Sequence, residues 1–100
     1  MLRGAIEVAT ENVVSGWIYC RVVSLRDQLV LAYADDVCVG NGRVEYFRKD
    51  LLAAGLGDGH CGFHFAVRLE EDQDPASLTI KLADSDFTLR QAAGRQAAFG

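Results

Sequence analysis

The chain has 100 residues, of which 50% are hydrophobic and one is proline. The hydrophobic residues are sufficient for one core, and the chain is too short for two. Ten lysine and arginine residues against 14 aspartate and glutamate residues give a formal net charge of −4, which argues against a basic surface for nucleic acid. No apolar run approaches the roughly 18 residues of a membrane helix, and the N-terminus lacks the apolar run of a signal peptide. We therefore expect no membrane insertion.

Apolar residues recur mainly at every second position, in short stretches bounded by Asn, Asp, Gly and Ser, and this pattern predicts about seven half-buried strands. In chain order, the predicted strands cover residues 4–9, 13–23, 29–34, 37–47, 61–69, 78–82 and 87–90. In the first strand, Ile6 and Val8 are expected to share one face on either side of Glu7. In the fourth, residues 40–42 (Gly-Asn-Gly) interrupt the alternation, which favours a bulge over a separate hairpin.

Residues 50–55 form the one convincing helical stretch, with Asp50 expected to cap its first amides and Gly55 to end it in a left-handed conformation. Short strands, one helical turn and no alternation of strands with helices predict an all-β fold. An antiparallel β-sandwich is the favoured architecture, and a small barrel is the alternative. We expect one domain over residues 1–91 and a flexible tail over residues 92–100.

The sequence around Cys61 resembles a metal or nucleophile motif, because His60 and His64 flank it. On a strand, however, Cys61 faces away from both histidines, which lie about 13 Å apart at roughly 3.3 Å per residue. One zinc ion cannot bridge that span, and a Cys-His nucleophile pair fails for the same reason. The expected role of Cys61 is a core thiol beside Phe63 and Phe65.

Two other chemistries are weaker still. Acidic residues at 35–36, at Asp58 and at 84–86 lack the spacing of a calcium loop, and turn formation explains them better. The glycine-rich residues 55–59 follow a helical turn and precede a strand, the reverse of the order in phosphate-binding loops. We expect no catalytic residue, metal or cofactor, and hence no enzyme. Three cysteines without Cys-x-x-Cys spacing fit a reducing compartment, so cytoplasm is the expected location.

Trp17, Tyr19 and Arg21 share one face of the second predicted strand, while Ile18 and Cys20 share the other. If Ile18 and Cys20 lie in the core, the other three present two aromatic rings and a guanidinium, a surface that can bind a sugar or a partner protein. For Trp17 itself a position in the core is favoured over a binding surface, because a lone tryptophan in a sandwich more often fills the core.

Arg48 and Asp50 lie at the start of the predicted helical turn. We expect them to fasten that turn to the sheet through an ion pair, rather than to bind an anion together with Lys49.

Several short motifs resemble small β-domains of bacterial surface-polysaccharide biosynthesis proteins, which are often appended to glycosyltransferases. In order they are Gly16-Trp17, Asp35-Asp36, Arg48-x-Asp50-Leu51, Gly55-x-Gly57-Asp58-Gly59 and Gly62-Phe63. In those domains the Gly-Trp is usually followed by Ala and an acidic residue, whereas Ile18, Tyr19 and Cys20 follow here. The resemblance implies a non-catalytic accessory module in which Trp17, Arg48, Asp50, Asp58, Gly59 and Gly62 are architectural.

Two functional hypotheses follow. In the first, the domain is an accessory module that binds a glycan or a glycosyltransferase partner through Trp17, Tyr19 and Arg21. In the second, it is a protein-interaction or homo-oligomerisation domain that pairs through an exposed edge strand.

Overall fold

The computed structural model describes residues 2–91 and 97–99. The strands in this part of the chain are β1 (Leu2–Ala9), β2 (Val13–Cys20), β3 (Leu29–Ala34), β4 (Val37–Arg43), β5 (Gly62–Ala66), β6 (Thr79–Leu82), β7 (Thr88–Gln91) and β8 (Ala97–Phe99). One α-helix, α1 (Lys49–Ala53), precedes β5, and a 3-10 turn (Pro75–Ser77) precedes β6. Strand β8 lies within the predicted tail, whose remaining residues, 92–96 and 100, fall outside the described residues.

The strands form two antiparallel sheets, one with the order β1-β2-β5 and the other with the order β4-β3-β6-β7-β8. The predicted all-β sandwich is confirmed. The main core lies between the sheets and is formed by side chains that alternate along each strand. Its largest fully buried members are Phe63, Ile18, Leu78, Ile80, Leu89, Val14, Val30 and Val44.

Strand β2 shows how the alternation places side chains. Ile18 and Cys20 are buried in the main core, whereas Trp17 and Tyr19 lie half-buried on the opposite face of the sheet. The predicted division of this strand into two faces is confirmed. It leaves the two aromatic rings on the outer face of the three-stranded sheet, where neither fills the main core.

Strand β1 contains a bulge that the alternation did not predict. Ile6 pairs with Gly16 and Val8 pairs with Ser15, so Glu7 is an extra residue without a partner. The prediction that Ile6 and Val8 share a face was wrong, because the bulge shifts the pleat by one position and leaves Val8 44% exposed. A second irregularity lies in β4, where Cys38 and Gly40 have partners in β3 and Val39 does not. A bulge rather than a separate hairpin is therefore present, but the predicted position was wrong, since residues 40–42 pair regularly with β3 and the extra residue is Val39.

The second predicted strand was too long. β2 ends at Cys20, and residues 21–28 form a loop in which Arg21, Val22 and Val23 are exposed. Asp27 has a left-handed backbone (φ 69°), which turns the chain toward β3. Apolar residues did not extend the strand here, because a strand also needs a neighbouring strand for its backbone hydrogen bonds.

Residues 48–61, which we call the helix-loop segment, leave the sheet and return to it. The Tyr46 and Gly62 backbones bridge at its base, and the amide of Arg48 donates to the carbonyl of Gly59 at 2.8 Å. Leu51, Leu56 and Cys61 of the segment form a second, smaller core against Trp17 and Tyr19. The segment therefore covers the outer face of β2.

The predicted C-terminal end of α1 is confirmed, and the predicted N-terminal cap is not. Arg48, not Asp50, precedes the first helical residue, and no side chain caps the helix, so the predicted Asp50 cap was wrong. At the other end Gly55 has φ +85°, and its amide donates to Leu52, so the predicted left-handed ending is confirmed. Within residues 2–91 and 97–99, no helix has the length and apolar character needed to cross a membrane.

Candidate functional site

A cavity of about 340 Å³ opens where β2 ends and the chain passes the glycine-rich part of the helix-loop segment. We call it the strand-end cavity. Its apolar wall comes from Val22, Val23, Leu25 and Cys61, and its polar groups come from Tyr19, Arg21, Arg26, Asp58 and His60. The end of β2 and the return of the helix-loop segment meet here, because the amide of Ile18 donates to the carbonyl of Cys61 at 3.0 Å.

Asp58 organises the polar side of this cavity. One carboxylate oxygen, Oδ2, lies 3.2 Å from Nη1 of Arg26, and the other, Oδ1, accepts the backbone amide of His60 at 3.0 Å. The hydrogen bond from that amide, aided by the nearby charges of His60 and Arg26, lowers the pKa of Asp58. The carboxylate is therefore charged at neutral pH, and its orientation is fixed by Arg26 and by the amide of His60.

His60 is held differently. Its ring packs on Phe47 with 5.2 Å between ring centroids. Nδ1 lies 3.6 Å from Oδ1 of Asp58, which is too long for a hydrogen bond, and this buried nitrogen has no other hydrogen-bond partner in the described structure. The predicted separation of the two histidines agrees with their contacts, since His64 packs instead on Tyr46 at 5.9 Å.

Of the three side chains predicted to bind a ligand, Tyr19 and Arg21 line the strand-end cavity. Tyr19 is additionally close to the backbone of Gly57, where an added Cβ would lie 3.3 Å from its Cε1 atom. Trp17 is not among the lining residues and lies half-buried against the second core. The cavity thus joins Tyr19 and Arg21 with the glycine-rich motif, and leaves Trp17 beneath the helix-loop segment.

Arg26 and His60 were not predicted as members of a site. Arg26 reaches Asp58 across 32 positions of the chain, a contact that no spacing rule signals. The sequence motif suggested His60 as a metal ligand or as the partner of a nucleophile, whereas its amide in fact orients Asp58. The one local signal for this site is an Asp whose carboxylate can accept a hydrogen bond from the backbone amide two residues later. That arrangement is typical of ordinary turns.

Cys61 is buried, as predicted, but it lies in the second core with Leu51 and Leu56 and not beside Phe63 and Phe65. Its Sγ atom is 3.5 Å from the carbonyl oxygen of Leu56. Burial, together with the negative charge of Asp58, raises the pKa of this thiol. Cys61 is therefore protonated at neutral pH and serves as an apolar wall of the cavity.

Arg48 clamps the helix-loop segment to the sheet. Its guanidinium donates to both oxygens of Glu7, at 2.7 and 3.1 Å, and to both oxygens of Asp50, at 3.0 and 2.9 Å. These bonds raise the pKa of Arg48 and lower that of Asp50. The ion pair predicted to fasten the turn is present, and its partner on the sheet is the bulged residue Glu7.

Two glycines of the predicted structural motif allow this return path. Gly59 has φ +80°, and an added Cβ would lie 2.9 Å from both Leu52 Cβ and Phe47 Cε1. An added Cβ at Gly62 would lie 3.0 Å from the carbonyl oxygen of Tyr46. Both positions bring backbone against neighbouring atoms more closely than a side chain permits.

In the described ranges, no three His, Cys, Asp or Glu side chains are grouped so that they could hold a metal ion. Comparison of the chain with protein-family models, with curated proteins and with solved structures finds no match. The geometry of the cavity is therefore the basis for proposing a ligand, and the motif resemblance is the basis for proposing a bacterial polysaccharide system.

Proposed function

We propose that this domain is a non-catalytic accessory module of a bacterial polysaccharide or glycosyltransferase system, and that it binds glycan in the strand-end cavity. The observation that supports the proposal is the convergence of an aromatic ring, two guanidinium groups and one oriented carboxylate around an apolar wall. These groups come from Tyr19, Arg21, Arg26 and Asp58.

Sugars present both kinds of surface that such a cavity offers. The C–H face of a pyranose is apolar and packs on an aromatic ring such as that of Tyr19. Its hydroxyl groups donate to a charged carboxylate and accept from guanidinium groups, and charge-assisted hydrogen bonds of this kind are stronger than neutral ones. Arg21 makes no ion pair within the described part of the chain, so its donors are free for a ligand.

Binding to an array of bacterial capsular and lipopolysaccharide oligosaccharides tests this proposal. The hits are then titrated against the protein while the fluorescence of Trp17 is recorded, since Trp17 is two residues from Tyr19 on the same face of β2. We expect Arg21→Gln to weaken binding about tenfold, as loss of one charge-assisted hydrogen bond does. Arg68→Gln, at another exposed arginine outside the cavity, is the matched control and should bind normally.

No binding to the array, or equal binding by the Arg21→Gln and wild-type proteins, would overturn the proposal. Tyr19→Leu provides a second variant, because leucine retains apolar contact with the second core while removing the ring from the cavity. Its circular dichroism spectrum checks the fold before binding is measured.

A second candidate function, docking of a partner protein or of another copy, is favoured by a different observation. Phe47 and Leu52 are 50% and 44% exposed, and both contact the turn at Gly59, so they form one apolar patch beside α1. Pairing of a second chain with edge strand β4 is less favoured, because one backbone acceptor of that edge is already used. The carbonyl of Val39 accepts the amide of Arg68 at 3.0 Å.

Light scattering at micromolar concentration tests this candidate for self-association. A mass above 10.9 kDa that falls in a Phe47→Ser variant would support association through the patch. A monomer at every concentration would rule out self-association, and the patch would then remain relevant only for a foreign partner.

A further inference from the structure

We propose that the outer face of the five-stranded sheet carries a second binding site, which takes a hydroxylated carboxylate of the hexuronate class. This inference rests on the proposed function for the view that the natural ligand is a glycan. The site is a shallow concavity of about 490 Å³ on β3, β6 and β7, lined by Tyr33, Asp35, Asp36, Ser77, Thr79, Lys81, Thr88 and Arg90. None of these residues lines the strand-end cavity.

The register of the sheet brings the polar side chains together in two rows. Tyr33 pairs with Thr79, and Thr79 pairs with Arg90. In the neighbouring row Lys81 pairs with Thr88. Residues two apart on one strand share a face, so Lys81 and Arg90 occupy diagonal positions of one four-residue group. Thr79 and Thr88 occupy the other two positions of that group.

The two cations of this face have no carboxylate partner in the described structure. Lys81 Nζ lies 5.3 Å from the centroid of the Tyr33 ring, and neither Lys81 nor Arg90 forms an ion pair there. Lys81 on β6 and Arg90 on β7 are diagonal neighbours, whose Cα atoms lie about 7–8 Å apart, so both flexible side chains can reach one carboxylate bound between them. The Lys81 ammonium lies over the Tyr33 ring on β3, and an anion beside Arg90 would attract it toward β7.

Carboxylates of the protein line one end of the same concavity. Asp35 and Asp36 form the tight turn between β3 and β4, with φ 51° and 67°, next to Tyr33. A purely anionic ligand would meet repulsion at this end, whereas hydroxyl groups would donate hydrogen bonds to it. The concavity therefore suits a ligand with a carboxylate at one end and hydroxyl groups at the other.

A hexuronate residue has this distribution of groups. Its carboxylate would lie between Lys81 and Arg90, and its ring hydroxyls would reach Thr79, Thr88 and the Asp35-Asp36 turn. The strand-end cavity differs, because the charge of Arg26 is already matched there by Asp58. We infer that the two sites select different sugars, the strand-end cavity through one arginine without an ion-pair partner and the sheet face through two cations without a carboxylate partner.

Amide chemical-shift mapping by NMR, with ¹⁵N-labelled protein and trigalacturonate as the probe, tests the inference. We expect shifts at residues 33, 79–81 and 88–90, and about tenfold weaker binding by Lys81→Gln or Arg90→Gln. Arg21→Gln is the control for the other site and should leave these shifts unchanged. All three side chains are exposed, so the variants should retain the fold, which their spectra will report directly.

Two comparison ligands separate the alternatives. Maltotriose has the hydroxyl groups without the carboxylates, and tricarballylate has carboxylates without hydroxyl groups. Weaker binding of both than of trigalacturonate supports the inference, while equal binding of tricarballylate would reduce the site to charge attraction and overturn it. Absence of chemical-shift changes on this face would also overturn the inference. If trigalacturonate shifted only residues 19–26 and 57–61, the sheet-face site would be overturned and glycan binding in the strand-end cavity would be supported.

Discussion

The main core and the second core of this domain are stabilised in different ways. In the main core, alternating side chains from both sheets bury one another, and Phe63, Ile18 and Leu89 are almost completely excluded from solvent. The second core has three buried members, Leu51, Leu56 and Cys61, on the outside of the smaller sheet. It is closed by a backbone return at Gly59 and by the Arg48 clamp. The stability of the main core therefore depends on strand pairing, whereas that of the second core depends on a few contacts between distant residues.

The largest expected effect is on the main core. Phe63→Ala should lower the free energy of unfolding by about 3–5 kcal/mol, because the ring is 1% exposed and its loss leaves a cavity between the sheets. Urea unfolding followed by circular dichroism measures the change. The control is Val22→Ala in the loop after β2, where the side chain is 69% exposed, and it should change stability by less than about 0.5 kcal/mol. Similar values for the two variants would contradict the described core.

Gly59→Ala should produce the next largest effect, about 2–4 kcal/mol, because it combines a left-handed backbone with contacts to Leu52 and Phe47. Gly55→Ala is the matched control, since Gly55 has a similar φ of +85° and no atom within 4 Å of an added Cβ. Its expected loss is about 1 kcal/mol. The difference between the two urea-unfolding values isolates the steric part, and equal losses would show that the return path at Gly59 is not crowded.

The Arg48 clamp should give a smaller, pH-dependent effect. Arg48 lowers the pKa of Asp50 below its ordinary value of 3.8, so their attraction stabilises the fold above that value and is lost as the pH falls through the lowered folded-state pKa. Asp50→Asn should therefore unfold at a lower urea concentration than wild type at pH 7. The two proteins should converge in acid.

Asp72→Asn is the control for this experiment, because Asp72 is exposed and its side chain forms no hydrogen bond or ion pair in the described structure. Its unfolding midpoint should follow wild type at every pH. A constant gap between Asp50→Asn and wild type down to the most acidic condition would show that the clamp does not act through charge.

The smallest effect leaves global stability unchanged and compares local opening of the two cores. Cys38 is exposed, Cys20 lies in the main core and Cys61 in the second core, so iodoacetamide labelling followed by mass spectrometry reports on each. We expect the order Cys38, Cys61, Cys20, because a core closed by few contacts opens without global unfolding. Equal rates for Cys20 and Cys61 in the wild-type protein would show that the two cores open as one unit.

Much of the fold was predictable from local patterns. The alternation along residues 61–67 correctly placed Phe63 in the interior, since the strand period of two couples sequence position to sheet face. Along residues 13–20 the alternation separated the two faces, but it did not decide that Ile18 and Cys20 form the buried one. The left-handed end of α1 followed from Gly55. Val8 was misplaced, because a bulge reverses the faces beyond it and leaves no compositional mark at Glu7.

The candidate site was predicted only in part. Tyr19 and Arg21 were identified from strand parity, and both line the strand-end cavity. Arg26 was missed, because its contact with Asp58 joins two loops that are distant in sequence. Trp17 shares the face of Tyr19, yet the helix-loop segment covers it, and parity does not reveal what covers a face.

The sequence by itself determined the all-β class, the two faces of the strands and the glycine turns, because those features depend on local backbone geometry and on side-chain alternation. Tertiary structure alone decided the contact of Arg26 with Asp58, the double clamp of Arg48 on Glu7 and Asp50, and the second core. It also decided that Lys81 and Arg90 share one face with Tyr33. These arrangements depend on which strands become neighbours and in what register, and each is settled by the packing of the whole domain.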